Sequence, residues 1–274
     1  LTYESADFGA LLEQAKARVD WQGFAERRGA SAAQGLLRGI GMCLYIERCG
    51  GGPALSEAAK VDVQSDGIVT VRIGSQSNGQ AHRTSYAQVV HEWLGVDPED
   101  VVVIQGDTDE VETGTGGSWS IPMGGGAIAR ASDKIIDKAK RIAALKFEAG
   151  ESDIDFSDGV FSVTGTDLRM TLPDVAALAE DPANLPEGEE PGLGGFDRFV
   201  PENHTFPYGV HIAEIEVDPE TGAFSLLDYT VVHDFGRALN PLLLEGQVHG
   251  GIAQGIGQAL YERTVYDGDG QLLT

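Results

Sequence analysis

Basic side chains are scarce in this chain. It carries 19 Lys and Arg residues against 43 Asp and Glu residues, which gives a formal net charge of -24 at pH 7. A surface of that sign repels nucleic-acid phosphates, so the composition excludes general binding of DNA or RNA. A small anionic ligand stays possible, because backbone N–H groups and neutral side chains can hold a phosphate without Lys or Arg.

Cysteine is also rare, and only Cys43 and Cys49 occur. Cys43 lies in the apolar run Ile40–Ile46, which predicts a strand, and Cys49 follows the end of that run. An extended segment of this length spans ~20 Å, whereas a disulfide needs its Cα atoms within ~7 Å. We therefore predict two free thiols and a reducing compartment, the cytoplasm.

Long apolar runs are missing as well. No stretch reaches the ~18 uninterrupted apolar residues of a membrane span, and no basic-then-apolar signal segment stands at the start. The first residue is Leu1 rather than Met. We interpret Leu1 as a cut inside a longer chain.

The chain does contain enough apolar residues, 42%, to form a core. Strand-type and helix-type hydrophobic patterns follow one another along it, which predicts the α+β class, with mixed sheets and packed helices. The predicted divisions are an N-terminal helical segment over 1–35, a first lobe over 36–150 and a second lobe over 151–274.

Two segments share the order strand, acidic turn and strand. They are Val61–Val71 and Ile215–Leu226, and each leads to a Gly-Gln pair and a predicted helix. We interpret them as an internal structural repeat of strand–strand–helix units.

Three stretches are predicted to lack regular structure. Gly29–Gly35 is expected to end a short helix, because glycine interrupts it. Gly106–Gly126 is expected to be a loop, because Gly, Thr and Ser dominate its composition. The range 181–203, rich in Pro, Gly and acidic residues, is expected to be a flexible excursion.

Three segments of the chain are rich in glycine. Two of them combine a backbone that a ligand can approach with small polar side chains. Gly74–Thr84 puts a Gly-Gln pair at a helix start, which suits a polar heterocycle or a phosphate, although a plain N-cap loop fits the same residues. In Gly106–Gly126, glycine lets a ligand approach the backbone closely. Its Asp107 and Asp109 fit a solvated turn better than a metal site, because two carboxylates lack further ligand spacing.

The third segment, Gly246–Gln258, has five glycines inside a predicted helix. Each costs ~1 kcal/mol relative to Ala, so thin packing or the close approach of a ligand must compensate. Tight helix–sheet packing and a ligand site both remain open. The six histidines show no catalytic spacing, and we interpret each of them as a structural hydrogen-bonding residue.

Taken in order, these segments resemble one family, the molybdenum-binding large subunit of xanthine dehydrogenase, aldehyde oxidase and aerobic carbon monoxide dehydrogenase. The resemblance extends from about residue 36 to the end of the chain. The matching stretches are Gly39–Gly41, Tyr45–Glu47, Asn78–Thr84 with Gln88, Gly106–Asp109, Gly114–Ser120, Ile212–Asp218, Asp234–Gly236 with Asn240 and Pro241, and Gly246–Leu260.

The resemblance implies a molybdopterin dinucleotide, in its cytosine form, and hydroxylation of a carbon centre with water as the oxygen source. It also implies iron–sulfur and FAD partner subunits or domains, the remainder of the large subunit, and an oligomeric enzyme. The residues that it assigns to cofactor binding are Gly79, Gln80, Thr84, Thr115, Gly117, Ser118, Ser120 and Gln247.

The sequence departs from the family pattern at three places. Ala81 stands where the family has a glycine after its Gly-Gln pair, Trp119 replaces the arginine of a Ser-Arg-Ser, and Phe235 replaces the cysteine of an Asp-Cys-Gly. The family's catalytic base is a glutamate in a Gly-Glu segment near the C-terminus, and the chain stops at Thr274 before such a segment. We therefore assign no catalytic residue or protein metal ligand, and expect half of a cofactor cleft that is inactive alone. The alternative is a scaffold module of the same fold that binds no cofactor.

Overall fold

The structure, a computed structural model, describes residues 3, 6–110 and 114–274. In these ranges the α-helices are α1 (Phe8–Arg18), α2 (Phe24–Ala32), α3 (His82–Leu94), α4 (Gly126–Phe147), α5 (Leu172–Ala179) and α6 (Pro241–Leu260). The strands are β1 (Leu37–Ile46), β2 (Glu57–Val63), β3 (Val69–Ile73), β4 (Val101–Gln105), β5 (Ile154–Ser157), β6 (Val160–Val163), β7 (Arg169–Thr171), β8 (Leu193–Phe199), β9 (Tyr208–Val217) and β10 (Phe224–Asp234).

These elements form two units, and each unit draws on separate parts of the chain. The first comprises Leu1–Ser56, Gly116–Trp119 and Val200–Arg237. The second comprises Glu57–Thr115, Ser120–Phe199 and Ala238–Thr274. The lobes 36–150 and 151–274 remain a prediction, and both units take residues from both ranges.

The first unit is a three-stranded antiparallel sheet in the order β1-β9-β10. Alternate residues of β9 turn one face toward α1, where Tyr208, Val210 and Ile212 are buried with Leu11 and Ala15. On the same face the buried carboxylate of Glu214 accepts hydrogen bonds from Arg27 at 3.0 Å and from Arg38 at 2.7 Å. These hydrogen bonds link α2 to β1 and β9, and the bond from Arg27 is the main reason that the pKa of Glu214 is lowered.

The second unit holds the larger core, built on a four-stranded sheet in the order β4-β3-β2-β8. The β3–β4 pair is parallel and the other two pairs are antiparallel, so the predicted mixed sheet is confirmed. One face is covered by α4, whose buried side chains recur at helical spacing: Ile128, Ala131, Ile135, Ala139 and Ile142. A small antiparallel sheet, β5-β6-β7, and α5 pack against the same core.

Both predicted repeat units are antiparallel hairpins followed by a helix, as expected. In the first, β2 pairs with β3 and α3 follows; in the second, β9 pairs with β10 and α6 follows. The two cysteines are free thiols, as predicted, with Cys43 exposed and Cys49 buried. Along the described residues, no helix combines the length and the apolar character that crossing a membrane requires.

Three expectations about irregular segments were confirmed only in part. The predicted flexible range 181–203 contains β8, which pairs with β2 through its whole length. At Gly195 the backbone passes so close to α4 that an added Cβ would lie 2.1 Å from the Ala131 carbonyl oxygen, so glycine marks tight packing here. Helix α2 continues through Gly29 but ends at Ala32, inside the segment expected to end it, and the predicted loop 106–126 ends in a π-helical turn over Ser120–Gly125.

Candidate functional site

The loop between β3 and α3 carries the first group of predicted site residues. Gly79 has φ 110° and Ala81 has φ 58°, both in the left-handed region. The Gln80 side-chain oxygen accepts a hydrogen bond from the Asn78 N–H. No side chain caps α3, so its first N–H groups, near exposed Thr84, are available to an anionic or polar ligand.

The buried side chain of His82 anchors this loop. The Nδ1 atom of His82 lies 3.3 Å from the Ser75 carbonyl oxygen, and because a carbonyl can only accept, the ring carries a proton on Nδ1. Burial lowers the pKa of His82, which favours the neutral ring. The His82 ring also lies beside the Tyr86 ring. His82 therefore fixes the start of α3 and is not presented to a ligand.

The second group lies around the Gly-rich loop that precedes α4. In the second unit, the hydroxyls of Thr115 and Ser120 are 2.6 Å apart, so these two predicted residues are brought together. The Ser120 carbonyl oxygen accepts a hydrogen bond from the Tyr86 hydroxyl at 3.2 Å. The loop end is thus held at both its side chain and its backbone.

Gly117 and Ser118 belong to the first unit. Both have positive φ values, 45° and 53°. The Ser118 hydroxyl donates to a carboxylate oxygen of Glu47 at 2.6 Å, and Trp119 lies over Gly116, where an added Cβ would be 3.7 Å from the indole ring.

Asp107 and Asp109 form an exposed turn, as predicted. The described residues contain no group of three or more His, Cys, Asp or Glu side chains suited to a metal ion.

The last predicted residue, Gln247, lies exposed on α6 and makes no side-chain hydrogen bond to a described residue. Helix α6 is capped by Asn240, whose Nδ2 atom also donates to the Gln88 side-chain oxygen on α3 at 3.0 Å. None of its residues is buried, and the space beside four of its glycines is open to 4 Å: Gly246, Gly250, Gly251 and Gly255. Tight packing against the described residues therefore does not explain these glycines.

A groove of about 700 Å³ adjoins the first loop in the second unit. It is lined by Gln76, Ser77 and Arg83 and by the outer strand β4. Gln105, on β4, accepts a hydrogen bond from the Ser77 N–H at 3.0 Å, while its buried Nε2 atom has no partner among the described residues. A buried donor without a partner is costly unless a ligand or water satisfies it.

The donors in this region fit a polar, phosphate-bearing cofactor. They are neutral amides, hydroxyls and backbone N–H groups, and the lining of the groove adds the side chain of Arg83, in a strongly acidic chain. The Cβ position of Gly79 is open to 4 Å, so a ligand can reach the backbone there.

Sequence patterns missed several residues around the site. Tyr86 has the spacing of an ordinary core residue of α3, Glu57 carries no motif, and Ser75 lies in the Gly74–Thr84 segment without an assigned role, yet all three are buried together. The six histidines show no catalytic spacing in the sequence, and the contact between His211 and His233 in the first unit was not predicted. No local signal indicates either grouping, because the partners are far apart in the chain.

Comparison with known proteins gives the family. Residues 14–274 match the molybdopterin cofactor-binding domain. The chain is 34% identical over 275 residues to subunit gamma of the 6-hydroxypseudooxynicotine dehydrogenase complex of Paenarthrobacter nicotinovorans, covering 99% of this chain and 34% of that protein. It is 33% identical over 288 residues to the carbon monoxide dehydrogenase large chain of Hydrogenophaga pseudoflava, covering 99% of this chain and 35% of that protein.

The fold gives the same result. The chain is similar to quinoline 2-oxidoreductase from Pseudomonas putida 86, with a TM-score of 0.88 and 31% identity, covering 100% of this chain and 36% of that one. It spans about a third of the length of the curated relatives it matches. The chain belongs to the molybdopterin cofactor-binding domain family, as part of a molybdenum-binding subunit of the xanthine dehydrogenase and carbon monoxide dehydrogenase type.

Proposed function

We propose that this chain supplies part of the cofactor cleft of a molybdenum hydroxylase, and that it binds the cofactor as a dinucleotide, in the cytosine form. The observation that carries the proposal is the uncapped start of α3 beside Gly79 and Gln80. Backbone N–H groups at a helix start favour negative charge, and the neutral amide of Gln80 supplies a further polar contact without a basic residue.

The other assigned residues have related roles in this proposal. Thr84 and Thr115 add hydroxyls, Ser118 and Ser120 hold the Gly-rich loop, and Gly117 keeps its backbone open. Gln247 approaches the cofactor from α6, where glycines allow close contact. When bound, the cofactor supplies two-electron oxidation of a carbon centre with oxygen taken from water.

The chain's own residues bind and orient the cofactor, and no catalytic base is assigned among them. The remainder of the large subunit completes the cleft, and iron–sulfur and FAD subunits or domains accept the electrons. Two relatives support an assembled enzyme by name, one as a complex subunit and one as a large chain. We place the enzyme in the cytoplasm, in line with the two free thiols.

The test uses the complete subunit, produced with its neighbouring subunits and a competent cofactor pathway. Molybdenum and released CMP are measured per large subunit, and about one of each is expected. Gln80→Ala removes an amide contact and is expected to weaken cofactor retention roughly tenfold. Gln64→Ala, in the exposed β2–β3 turn, is the matched control and should retain the wild-type content.

The same experiment decides against the alternative. If the assembled wild-type protein reproducibly contains no molybdenum, the alternative hypothesis, a scaffold module that binds no cofactor, replaces the proposal. Molybdenum without CMP would retain cofactor binding and reject the cytosine form.

A further inference from the structure

The Tyr86 hydroxyl joins the two predicted cofactor loops of the second unit. Its side chain is 0% exposed, so its single polar group must find partners inside the protein. The hydroxyl donates to the Ser120 carbonyl oxygen at 3.2 Å, at the start of the π-helical turn. The side chain of Ser75, in the loop before α3, lies next to the same hydroxyl.

Behind Ser75 stands a buried carboxylate. The Ser75 hydroxyl donates to Oε2 of Glu57, and the N–H of Ala58 donates to Oε1 of the same residue at 3.2 Å. Glu57 is 1% exposed and Ser75 is 0% exposed. The carboxylate therefore fixes the Ser75 side chain from the start of β2, which holds this neighbour of Tyr86 in place.

Packing around the phenol is as tight as its hydrogen bonding. An added Cβ at Gly124 would lie 2.7 Å from the Tyr86 hydroxyl and 3.0 Å from Ile73. The π-helical turn is therefore pressed directly onto Tyr86. Burial raises the pKa of Tyr86, so the hydroxyl stays protonated and acts as a donor.

We propose that Tyr86 is a positioning residue that sets the separation of the loop before α3 and the loop end at Ser120, and so the shape of the cofactor site. This inference rests on the proposed function. Tyr86 is sealed from solvent, so in this proposal it acts through its hydrogen bond to Ser120 and its contact with Ser75. Losing its hydroxyl leaves the Ser120 carbonyl without that donor and loosens the contact with Ser75.

The decisive variant is Tyr86→Phe in the complete, assembled enzyme, because it removes one oxygen and keeps the ring. We expect cofactor loss on warming, followed as molybdenum and CMP per subunit, to be roughly tenfold faster than in the wild type. Tyr261→Phe, at a side chain that is 74% exposed, is the matched control and should behave as wild type.

A second readout does not depend on bound cofactor. In cofactor-free enzyme, amide hydrogen exchange of residues 74–84 and 120–125 should speed up in Tyr86→Phe, while exchange in α4 stays at the wild-type value. A purely structural role would instead accelerate exchange throughout the second unit. If the variant does not assemble, Ser75→Ala takes its place, since it removes the hydroxyl beside Tyr86 and keeps the phenol.

The outcomes separate the two proposals. A loaded wild type with unchanged retention and exchange in Tyr86→Phe overturns the positioning role and leaves the proposed function intact. A wild type without cofactor overturns the proposed function. The amide hydrogen exchange of residues 74–84 and 120–125 then tests, without the cofactor, whether Tyr86 positions the two loops. Faster cofactor loss with exchange changes confined to the two segments supports the inference.

Discussion

The imidazole rings of His211 on β9 and His233 on β10 lie side by side on one face of the first-unit sheet, with 2.8 Å between their Nε2 atoms. His211 Nδ1 lies 3.1 Å from the Tyr229 hydroxyl, whereas the buried Nδ1 of His233 has no partner among the described residues. The contact follows from the register, because His211 faces Val231 and His233 faces Gly209, which makes the histidines diagonal neighbours on one face.

This pair predicts a loss of stability of the first unit in acid. Burial lowers the pKa of both histidines, that of His233 to about 4, from an ordinary value of 6.5. The folded state therefore binds fewer protons than the unfolded chain, so stability is complete above pH 6.5 and falls as the pH drops toward 4.

Urea unfolding of the first unit between pH 7 and pH 4 measures this effect. His233→Gln should flatten the dependence on pH. His249→Gln, at an exposed side chain of α6, should leave the dependence unchanged. An unaltered pH profile in His233→Gln would contradict the assignment.

Ala81 occupies a backbone conformation that favours glycine. Its φ of 58° carries a Cβ penalty of roughly 1–2 kcal/mol, partly offset because glycine gains about 0.4–1 kcal/mol of freedom in the unfolded chain. Ala81→Gly is therefore expected to stabilise the second unit by about 0.5 kcal/mol, measured by urea denaturation. Ala17→Gly, at an exposed helical position of α1, should have the opposite sign and cost about 1 kcal/mol.

Gly195 is the point where β8 and α4 make closest backbone contact. Gly195→Ala would bring its Cβ to 2.1 Å from the Ala131 carbonyl oxygen, so the strand must move. We expect a loss of about 3 kcal/mol in unfolding free energy. Gly29→Ala, in α2 with no atom within 4 Å of the new Cβ, should be stabilising by about 0.5–1 kcal/mol. Equal effects of the two substitutions would refute this packing argument.

Helix α6 is predicted to be stable only with further protein around it. It has 20 residues, none of them buried, and each glycine costs about 1 kcal/mol relative to Ala. In this chain on its own, amide hydrogen exchange of α6 should be fast while that of α4 is slow. In the complete subunit α6 should be protected. Comparable protection of α4 and α6 in the isolated chain would show that α6 needs no partner.

Local patterns in the sequence were enough to predict the elements that carry most of the site. The helix before Gly95, the β2–β3 hairpin and β4 all follow from hydrophobic periodicity and turn residues, which act between neighbours in the chain. The glycine-rich segments and their order also indicated the family. Composition alone led to the prediction that the chain does not bind nucleic acids generally, since net charge sums over all residues.

The tertiary structure decided which distant residues are in contact. Composition marked 181–203 as irregular, but β2 and α4 hold β8 in the second-unit sheet, and glycine at 195 permits that packing. Tyr86 meets Ser120, and His211 meets His233, only because packing and strand register bring them together. A local pattern records which face a residue prefers, whereas its partner on that face depends on how the whole chain folds.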